Sequence, residues 1–517
     1  MFGTTREELD GHQLRRIDAR GLSADAHLTE FQDIPLRAKA YFDSVLDGYN
    51  EGSKTFFYHV LFSARPGGNM WVPVSKPFFD QFFPEADNNS MVEDGILLMK
   101  EHQFTRGKSR EWKIPPEVMD RARWLMVADL EAEFVDPKTG RKKGRPQKHK
   151  TTNEYGKPHP LLVKQAIHTF EYGYFNRAAV EEHLREREDS VSYAESLGVE
   201  EEIPGWLERP RARLDGDIRC YSVILRQKPQ LVEGTTYRYR LAYSVQSTGR
   251  LSQRGGGAQS CSREMKARLY RDLEGVPEVL NYDLKSSQAY ILRAFLSDAG
   301  IDTSWLDTYL SADKQMYADR AGLTVDTWKA IFYALVMGAH LPNSLYHSDG
   351  AVKWGFYDEF GVSTKDEIIG PELSPVFASA ADALKDTREV LQPFSARVKE
   401  WHRYLEEEWV PQNAEPNRTG RLVRNALQMK FHWTREIGDE RENIREAKRK
   451  LAAFLLQGKE AAFIHRLTTI LPDYGVVPIS NEHDGIVTLG VVPPEAIERA
   501  REAEDMPYAK LETKDFV

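Results

Sequence analysis

Two aspartates stand at the ends of short apolar segments that predict β-strands. Residues 476–480 and 486–489 are rich in Val and Ile, and the turn between them contains Asp484 followed by glycine, which is a typical hairpin sequence. Residues 276–283 form a further short apolar segment that ends on Asp283. A carboxylate at such a position is exposed and is held by rigid flanking strands. We therefore predict β-sheet structure with a carboxylate at the tip of each of two strands.

A helical segment lies between the two aspartates in the sequence. Lys329, Tyr333 and Met337 recur every four residues, so they share one face of a helix. Two carboxylates and a lysine are the groups that nucleotidyl transfer requires, because carboxylates hold Mg²⁺ ions and an ammonium group neutralises a triphosphate. The pattern favours a template-directed nucleic-acid polymerase that uses two Mg²⁺ ions, for which Mn²⁺ could substitute.

The composition is that of a globular protein without a membrane segment. Of the 517 residues, 41% are hydrophobic and 29% are charged, and no apolar run is long enough to span a bilayer. The two cysteines, Cys220 and Cys261, exclude a disulfide framework and a Cys-rich zinc site. The N-terminal residues lack the layout of a signal peptide. We predict a cytoplasmic protein of a bacterial or phage-infected cell, with two or three domains and no membrane partner.

The distribution of charge matters more than the net charge of −9, which by itself argues against nucleic-acid binding. A loop at 137–150 contains glycine and proline and carries basic residues that no carboxylate interrupts. Such a loop is either a solvated linker or a segment that follows phosphates and releases their counterions. The basic residues are Lys138, Arg141, Lys142, Lys143, Arg145, Lys148 and Lys150.

The remaining patterns place helices and strands along the chain. Helical periodicity covers 160–187, and residues 288–296 continue from the strand before them as a helix. Residues 216–246 predict a β-rich passage in which 221–225 and 237–243 are strands, because both are rich in aromatic and branched residues.

A series of short motifs in a fixed order resembles a known family. From about residue 245 to residue 489 the chain resembles the family A DNA polymerases (bacterial DNA polymerase I type), whose palm and fingers are shared by the single-subunit phage and mitochondrial RNA polymerases. About half of the chain is covered. The matching segments are Thr248-Gly249-Arg250-Leu251-Ser252, Asp283, the set Lys329, Tyr333, Met337 and Gly338, the segment 391–401, Thr419-Gly420-Arg421-Leu422, Gln457-Gly458 and His483-Asp484.

The resemblance implies a mixed α+β fold of the right-hand polymerase type. Such a fold has a palm with an antiparallel sheet, helical fingers and, here, a helical thumb-like N-terminal region with the basic loop at 137–150. The corresponding domains are 1–205 for the N-terminal region, 206–289 for the first part of the palm, 290–450 for the fingers with an insertion near 340–390, and 451–517 for the second part of the palm.

The resemblance also implies roles for individual residues. Asp283 and Asp484 would be catalytic and would bind the metal ions together with the backbone carbonyl of Leu284. The implied nucleotide-binding residues are Lys329, Tyr333, Met337, Gly338 and Gln288, and the implied nucleic-acid-binding residues are Arg250, Gln457 and His483, to which the basic loop adds Lys142, Lys143 and Arg145. The implied partners are a DNA template and primer and nucleoside triphosphates, with RNA as an alternative, bound by a monomer.

Several positions depart from the family pattern. Gly485 stands where the DNA polymerases have Glu and the RNA polymerases have Ser, and Val325 stands where an Arg is usual. Lys285 and Gln288 replace the more frequent Ser and Glu. Gln288 is nearly as large as Glu, so it should still crowd the ribose 2′-hydroxyl, although its amide can also donate a hydrogen bond.

Three functions remain open at this point. The first is a DNA-directed DNA polymerase without a proofreading exonuclease, because the sequence before the palm lacks a full set of exonuclease carboxylate motifs. The second is a small RNA polymerase or primase on the same palm. The third is an inactive polymerase-like scaffold that binds nucleic acid, against which the intact Asp283, Lys329 and Asp484 argue.

Overall fold

The structure is a computed structural model, and it describes twelve stretches of the chain. The described residues are 34–63, 71–74, 76–100, 110–126, 133–142, 147–153, 155–198, 208–346, 351–362, 364–417, 420–437 and 441–516. Lys143 and Arg145, which the sequence predicts to contact nucleic acid, lie outside these residues, as does Thr419.

The N-terminal part combines helices with two small antiparallel sheets. Strand β1 pairs with β5, and β4 lies between β2 and β3. Phe56 packs edge-on against Trp112 with 5.0 Å between ring centroids, so aromatic side chains join a helix to the second sheet. The elements are β1 (Ile34–Pro35), α1 (Leu36–Val45), α2 (Glu51–Ser63), β2 (Val72–Val74), α3 (Lys76–Phe82), α4 (Asn88–Glu93), β3 (Leu98–Lys100), β4 (Arg110–Lys113), α5 (Pro116–Met126) and β5 (Phe134–Val135).

The middle part contains a long buried helix, Glu208–Arg226, and a three-stranded sheet with the order β6-β8-β7. Strands β9 and β10 pair with each other as a separate antiparallel ribbon. The elements are α6 (Leu161–Thr169), β6 (Tyr172–Asn176), α7 (Arg177–Ser196), α8 (Glu208–Arg226), β7 (Gln230–Glu233), β8 (Thr236–Arg240), β9 (Tyr243–Val245), β10 (Leu251–Gln253), α9 (Gly257–Ser260) and α10 (Arg263–Leu269).

One predicted strand in this part is wrong. Residues 221–225 belong to α8, and they are buried on every side of it. A continuous apolar run does not distinguish a strand from a buried helix, because both bury all of its side chains. The prediction for 237–243 is confirmed in part, since β8 and β9 cover all of it except Leu241 and Ala242.

The C-terminal part contains most of the helices and the largest sheet. A three-stranded sheet with the order β12-β13-β14 lies before the long helix α20. The elements are β11 (Val279–Leu284), α11 (Ser287–Asp298), α12 (Ser304–Ser311), α13 (Lys314–Arg320), α14 (Val325–Val336), α15 (Ala351–Phe360), α16 (Thr364–Ile369), α17 (Pro375–Tyr404), a π-helical turn (Leu405–Trp409), α18 (Val410–Asn413), β12 (Glu415–Asn417), β13 (Gly420–Arg424), β14 (Lys430–His432), α19 (Trp433–Ile437), α20 (Arg441–Ile470), a 3₁₀ turn (Leu471–Tyr474), β15 (Val477–Asn481), β16 (Gly485–Leu489), α21 (Pro494–Ala503) and β17 (Leu511–Lys514).

The largest sheet has four antiparallel strands in the order β15-β16-β11-β17. The predicted hairpin is confirmed as β15 and β16, and β11 is the predicted strand that leads to Asp283. Every residue of β16 is buried, which requires cover on both faces of that strand. The mixed α and β class with antiparallel sheets is therefore confirmed. No helix in the described ranges has both the length and the apolar character needed to cross a membrane.

Candidate active site

The sheet brings the two predicted aspartates together at one end. Asp283 of β11 is directly opposite Gly485 of β16, and Asp484 precedes that glycine. The backbone N–H of Leu284 donates to the carbonyl of Asp484 over 2.9 Å. The two carboxylates are thus close together, Asp283 in β11 and Asp484 in the turn directly before β16, although 200 residues separate them in the chain.

Both carboxylates are held in an environment that opposes their charge. Burial raises the pKa of Asp283, and the neighbouring Asp484 raises it further. Burial also raises the pKa of Asp484, with a further contribution from Glu460. Repulsion among close carboxylates is relieved by a bound cation, and oxygen ligands of this kind suit Mg²⁺.

Gly485 fits the sheet because it has no side chain. A Cβ atom at this position would lie 2.3 Å from the carbonyl oxygen of Tyr282 and 3.4 Å from the Cα of Asp283. Backbone atoms of the neighbouring strand cannot move aside without displacing β11. A residue with a side chain at position 485 would therefore push β16 away from β11, which carries Asp283.

The sequence analysis missed the strand β17, which completes the sheet beside Asp283. Lys514 of β17 forms an ion pair with the Asp283 carboxylate and lowers its pKa. Glu512 is directly opposite Asp283 and pairs with Lys285 over 2.7 Å. The sequence of β17, Leu-Glu-Thr-Lys, has no run of apolar residues to mark it as a strand.

A third carboxylate, Glu460 of α20, was also missed. It is fully buried and forms an ion pair with Arg250. Ser287 and Gln288 of α11 donate hydrogen bonds to it, the second over 3.3 Å. Glu460 lies one helical turn after Gln457, but a single sequence does not show that Arg250 pairs with it.

The segment that carries Arg250 is fixed to α20 by polar contacts. The side chain of Asn425 donates to the carbonyl of Thr248 over 2.7 Å, and His465 contacts the carbonyl of Gly249 at 2.8 Å. A Cβ at Gly458 would lie 2.2 Å from the Asn425 amide nitrogen, so this glycine allows the close approach. Gln457, its neighbour, is half-buried.

Several potential hydrogen-bonding atoms of this region are buried and have no partner among the described residues. The Nε of Arg250 and the Nδ1 of His483 have no hydrogen-bond partner among the described residues. Burial, Arg250 and Lys266 lower the pKa of His483 to about 4, so its imidazole is neutral near pH 7. Unsatisfied buried polar atoms are rare in folded proteins and often mark the place of a ligand.

Helix α14 carries the predicted lysine and tyrosine to the same place. The side chain of Tyr333 hydrogen bonds with Ser286, and burial raises the pKa of its phenol, as do the carboxylates of Asp484 and Asp283. Lys314 of α13, which the sequence offers as an alternative phosphate-binding residue to Lys329, donates to the Ser286 hydroxyl over 2.6 Å.

Lys314, which contacts Ser286, has the charges of Lys329 and Lys285 near it. Burial lowers the pKa of Lys314, and so do the charges of Lys329 and Lys285. Ser286 itself has a left-handed backbone with φ of +47° at the start of α11, directly after the strand that holds Asp283. The geometry thus places a positively charged group of side chains next to two carboxylates.

Met337 and Gly338 lie farther along, at the C-terminal end of α14. The N–H groups of Gly338 and Ala339 bond back to the carbonyls of Leu335 and Ala334 over 2.8 Å each, which is a Schellman-type helix end. A Cβ at Gly338 would lie 2.2 Å from a ring carbon of His402. This end of the helix borders a cleft of about 350 Å³ whose charged and histidine lining is His340, Lys399, His402, Arg445, Lys448 and Arg449.

The basic loop is described only in part. Lys142 forms an ion pair with Glu133 over 2.6 Å at the protein surface, so one of the loop's predicted nucleic-acid contacts already has a carboxylate partner.

In the described stretches, no group of three or more His, Cys, Asp or Glu residues could hold a metal ion. A metal at Asp283 and Asp484 would therefore need further ligands from substrate or water, as is usual for Mg²⁺.

Comparisons with known proteins gave matches among solved structures only. No protein-family profile and no curated protein sequence matches the chain. The solved structure described as the POL domain of Pol1 from M. smegmatis, in a complex with DNA primer-template and dNTP, shows a TM-score of 0.41 and 14% identity. The match covers 70% of this chain and 70% of that one. A likeness this distant identifies neither a family nor an activity.

Proposed function

We propose that the chain is a template-directed nucleotidyltransferase, and that it is a DNA-directed DNA polymerase without a proofreading exonuclease. One observation carries the proposal. Asp283 in β11 lies beside Asp484, in the turn directly before the antiparallel strand β16, and Lys314 and Lys329 bring positive charge to the neighbourhood of Ser286. This pairing of anionic and cationic groups matches what a dication and a triphosphate need when they bind together.

The carboxylates would hold two Mg²⁺ ions, together with the backbone carbonyl of Leu284. Bound ions of this kind activate an attacking oxygen and stabilise the leaving pyrophosphate. Asp283 and Asp484 keep their oxygens close to the backbone because Asp has a short side chain, and the ladder between β11 and β16 fixes both. Lys514 would leave Asp283 when the ions bind, since the ammonium group and a dication compete for the same oxygens.

The nucleotide would lie between the sheet and α14. Lys329 and Lys314 would bind its phosphates, and Tyr333 and Gln288 would border its sugar. Tyr333 hydrogen bonds with Ser286, and Gln288 hydrogen bonds with Glu460, so both side chains are held in place before a nucleotide binds. Met337 and Gly338, at the end of α14, would face the templating base.

The primer terminus would contact Arg250, His483 and Gln457. Arg250 and His483 each have a buried nitrogen atom without a partner among the described residues, and Gln457 lies on α20 one turn before Glu460. These groups would test the shape of the terminal base pair through acceptors that all base pairs share in the minor groove. In this arrangement 206–289 and 451–517 form the palm, 290–450 the fingers and 1–205 a thumb-like region of a cytoplasmic monomer.

Nucleotide incorporation by Asp283→Asn and Asp484→Asn variants tests the proposal. Each change removes one anionic ligand while keeping the side-chain shape, so we expect incorporation to fall by several orders of magnitude, which corresponds to the several kcal/mol that a metal supplies. Binding of a primed template should persist. The assay uses primed and unprimed DNA, each with dNTPs or rNTPs and Mg²⁺.

Each outcome of that assay decides between the three functions. Extension of a primer with dNTPs supports the DNA polymerase. Preference for rNTPs, or synthesis without a primer, would replace it with the RNA polymerase or primase. Nucleic-acid binding without incorporation by the wild-type protein under all four conditions would leave only the scaffold.

A further inference from the structure

The outer face of the sheet β6-β8-β7 carries arginines and tyrosines. Residues that are directly opposite each other point to the same side of a sheet, and here Tyr172 pairs with Arg240 and Tyr174 with Arg238. Both arginines are exposed. The inner face is covered, since Phe175 packs against Tyr221 of α8 with 6.0 Å between ring centroids.

Two guanidinium groups converge on one ring of this outer face. The guanidinium carbons of Arg238 and Arg240 lie 4.8 Å and 5.3 Å from the ring centroid of Tyr172. Stacking on an aromatic ring is favourable, but two like charges brought this close repel each other. The arrangement therefore gathers positive charge at a cost that an anion would offset.

The described residues supply no such anion. Arg238 donates to the neutral side chain of Gln230 over 3.2 Å, and within the described part of the chain neither Arg238 nor Arg240 has a carboxylate within ion-pair distance. Carboxylates are not scarce, because the chain has 79 acidic and 70 basic residues. Two adjacent arginines without an acidic partner on a protein of net charge −9 therefore indicate an external anion.

Part of the basic loop is fixed to Tyr243, three residues after Arg240. The N–H of Lys150 donates to the carbonyl of Tyr243 over 2.8 Å, and the ring of His149 stacks on the ring of Tyr243 at 6.1 Å. Tyr243 begins the strand that follows Arg240 by three residues, so the loop is anchored a short way along the chain from the arginines. Lys148 and Lys150 are both exposed. We call Lys148, Lys150, Arg238 and Arg240 the basic strip.

We propose that the basic strip binds the phosphodiester backbone of duplex nucleic acid. Arginine presents a planar fork of donors that matches a phosphate, and Tyr172 holds both forks against the sheet before binding. Single strands are instead bound by bases stacked on exposed aromatic rings, and the ring of Tyr172 is already covered by guanidinium groups. Along a strand, residues two apart are separated by about 6.7 Å, so both arginines can reach one backbone.

The choice of ligand rests on the proposed function, since a polymerase must hold its duplex product. The position agrees with this, because β6 packs beside β15 of the four-stranded sheet, whose hairpin carries Asp484. A duplex bound there would lie against the body that holds the catalytic carboxylates.

The double variant Arg238→Gln/Arg240→Gln tests the basic strip. Binding of a labelled primer–template duplex and of a single strand is measured by fluorescence anisotropy over a series of salt concentrations. For the duplex, the slope of log K against log salt should decrease in magnitude by up to about 1.8, because each lost phosphate contact removes about 0.9. Arg238→Lys/Arg240→Lys keeps the charges and should keep most of the slope.

Arg499→Gln is the matched control. Arg499 is also exposed and lies 5.7 Å from the ring centroid of Tyr474, but it has a carboxylate partner in Asp473 at 3.2 Å. This variant should bind the duplex like the wild type, and all variants should keep the melting temperature of the wild type.

An unchanged salt slope for the duplex in the Gln double variant overturns the proposal, and so does a loss confined to the single strand. Turnover at saturating duplex separates this result from the fate of the proposed function. If the wild type incorporates no nucleotide but the double variant loses duplex affinity, the polymerase assignment fails and the basic strip stands. If the wild type polymerises and the double variant binds like it, only the basic strip fails.

Discussion

Replacing Glu460 with Gln should destabilise the protein strongly. The carboxylate of Glu460 is fully buried and accepts from three donors, which belong to Arg250, Ser287 and Gln288. An amide has one acceptor oxygen and an NH₂ group that would face at least one of these donors. Arg250 would also keep its charge in a site where only 13% of its side chain is exposed.

The expected loss is about 3–5 kcal/mol, which is the usual effect of removing one partner of a buried ion pair. Unfolding in urea, followed by tryptophan fluorescence, measures it as a shift of the midpoint. Glu389→Gln is the matched control, because Glu389 pairs with Arg320 at the surface with 74% of its side chain exposed, and such pairs contribute little.

A double-mutant cycle separates the ion pair from general disruption of the core. Arg250→Met alone should also be destabilising, because it leaves Glu460 buried without a cation. The double variant Arg250→Met/Glu460→Gln should lose clearly less than the sum of the single variants, since the two changes remove one interaction. If Glu460→Gln unfolds at the same urea concentration as the wild type, or if the losses of stability in the two single variants simply add, then the ion pair between Arg250 and Glu460 does not stabilise the protein.

Three further predictions concern nucleotide incorporation. Gly485→Ala should abolish incorporation, because the added Cβ would lie 2.3 Å from the Tyr282 carbonyl oxygen. Gly355→Ala is the control and should be tolerated, because its Cβ would lie at an ordinary 3.5 Å from Ile331. An active Gly485→Ala enzyme would show that the strands can separate. Lys329→Ala and Lys314→Ala should each raise the KM for nucleotide and lower kcat, because an ammonium group bound to the phosphates acts in the ground state and on the leaving pyrophosphate. If steady-state kinetics show an unaltered dependence on nucleotide concentration, the phosphates bind elsewhere. Gln288→Gly should raise ribonucleotide use at least about tenfold, which corresponds to a change of about 1.4 kcal/mol in activation free energy. Competition assays with dNTP and rNTP measure it. Unchanged sugar selectivity would show that Gln288 does not border the sugar.

Local patterns predicted the centre of the sheet but not its surroundings. The hairpin around Asp484 was predictable because branched residues flank an Asp-Gly turn, and its strands were found at 477–481 and 485–489. The segment 221–225 was misassigned because burial of α8 on all sides removes the helical periodicity. Strand β17 was missed because its pairing with β11 is set by a distant partner and not by its own residues.

The side chains around the aspartates show the same limit. The motif pattern selected Arg250 and Lys329, but it could not reveal Glu460, since this residue is identified by what it contacts in space. Pairing of Arg250 with Glu460 connects residues 210 positions apart. Such contacts depend on the tertiary fold, and a single sequence carries no record of them.

The pairing of Lys514 with Asp283 has a consequence for how the protein is made. The two residues are 231 positions apart, so a ribosome must add all of the intervening residues before the central strand β11 gains its last neighbour. Closing so long a segment is entropically costly and slows folding. Every shorter nascent chain therefore carries Asp283 on an incomplete sheet, and chains that stop before residue 511 should be inert.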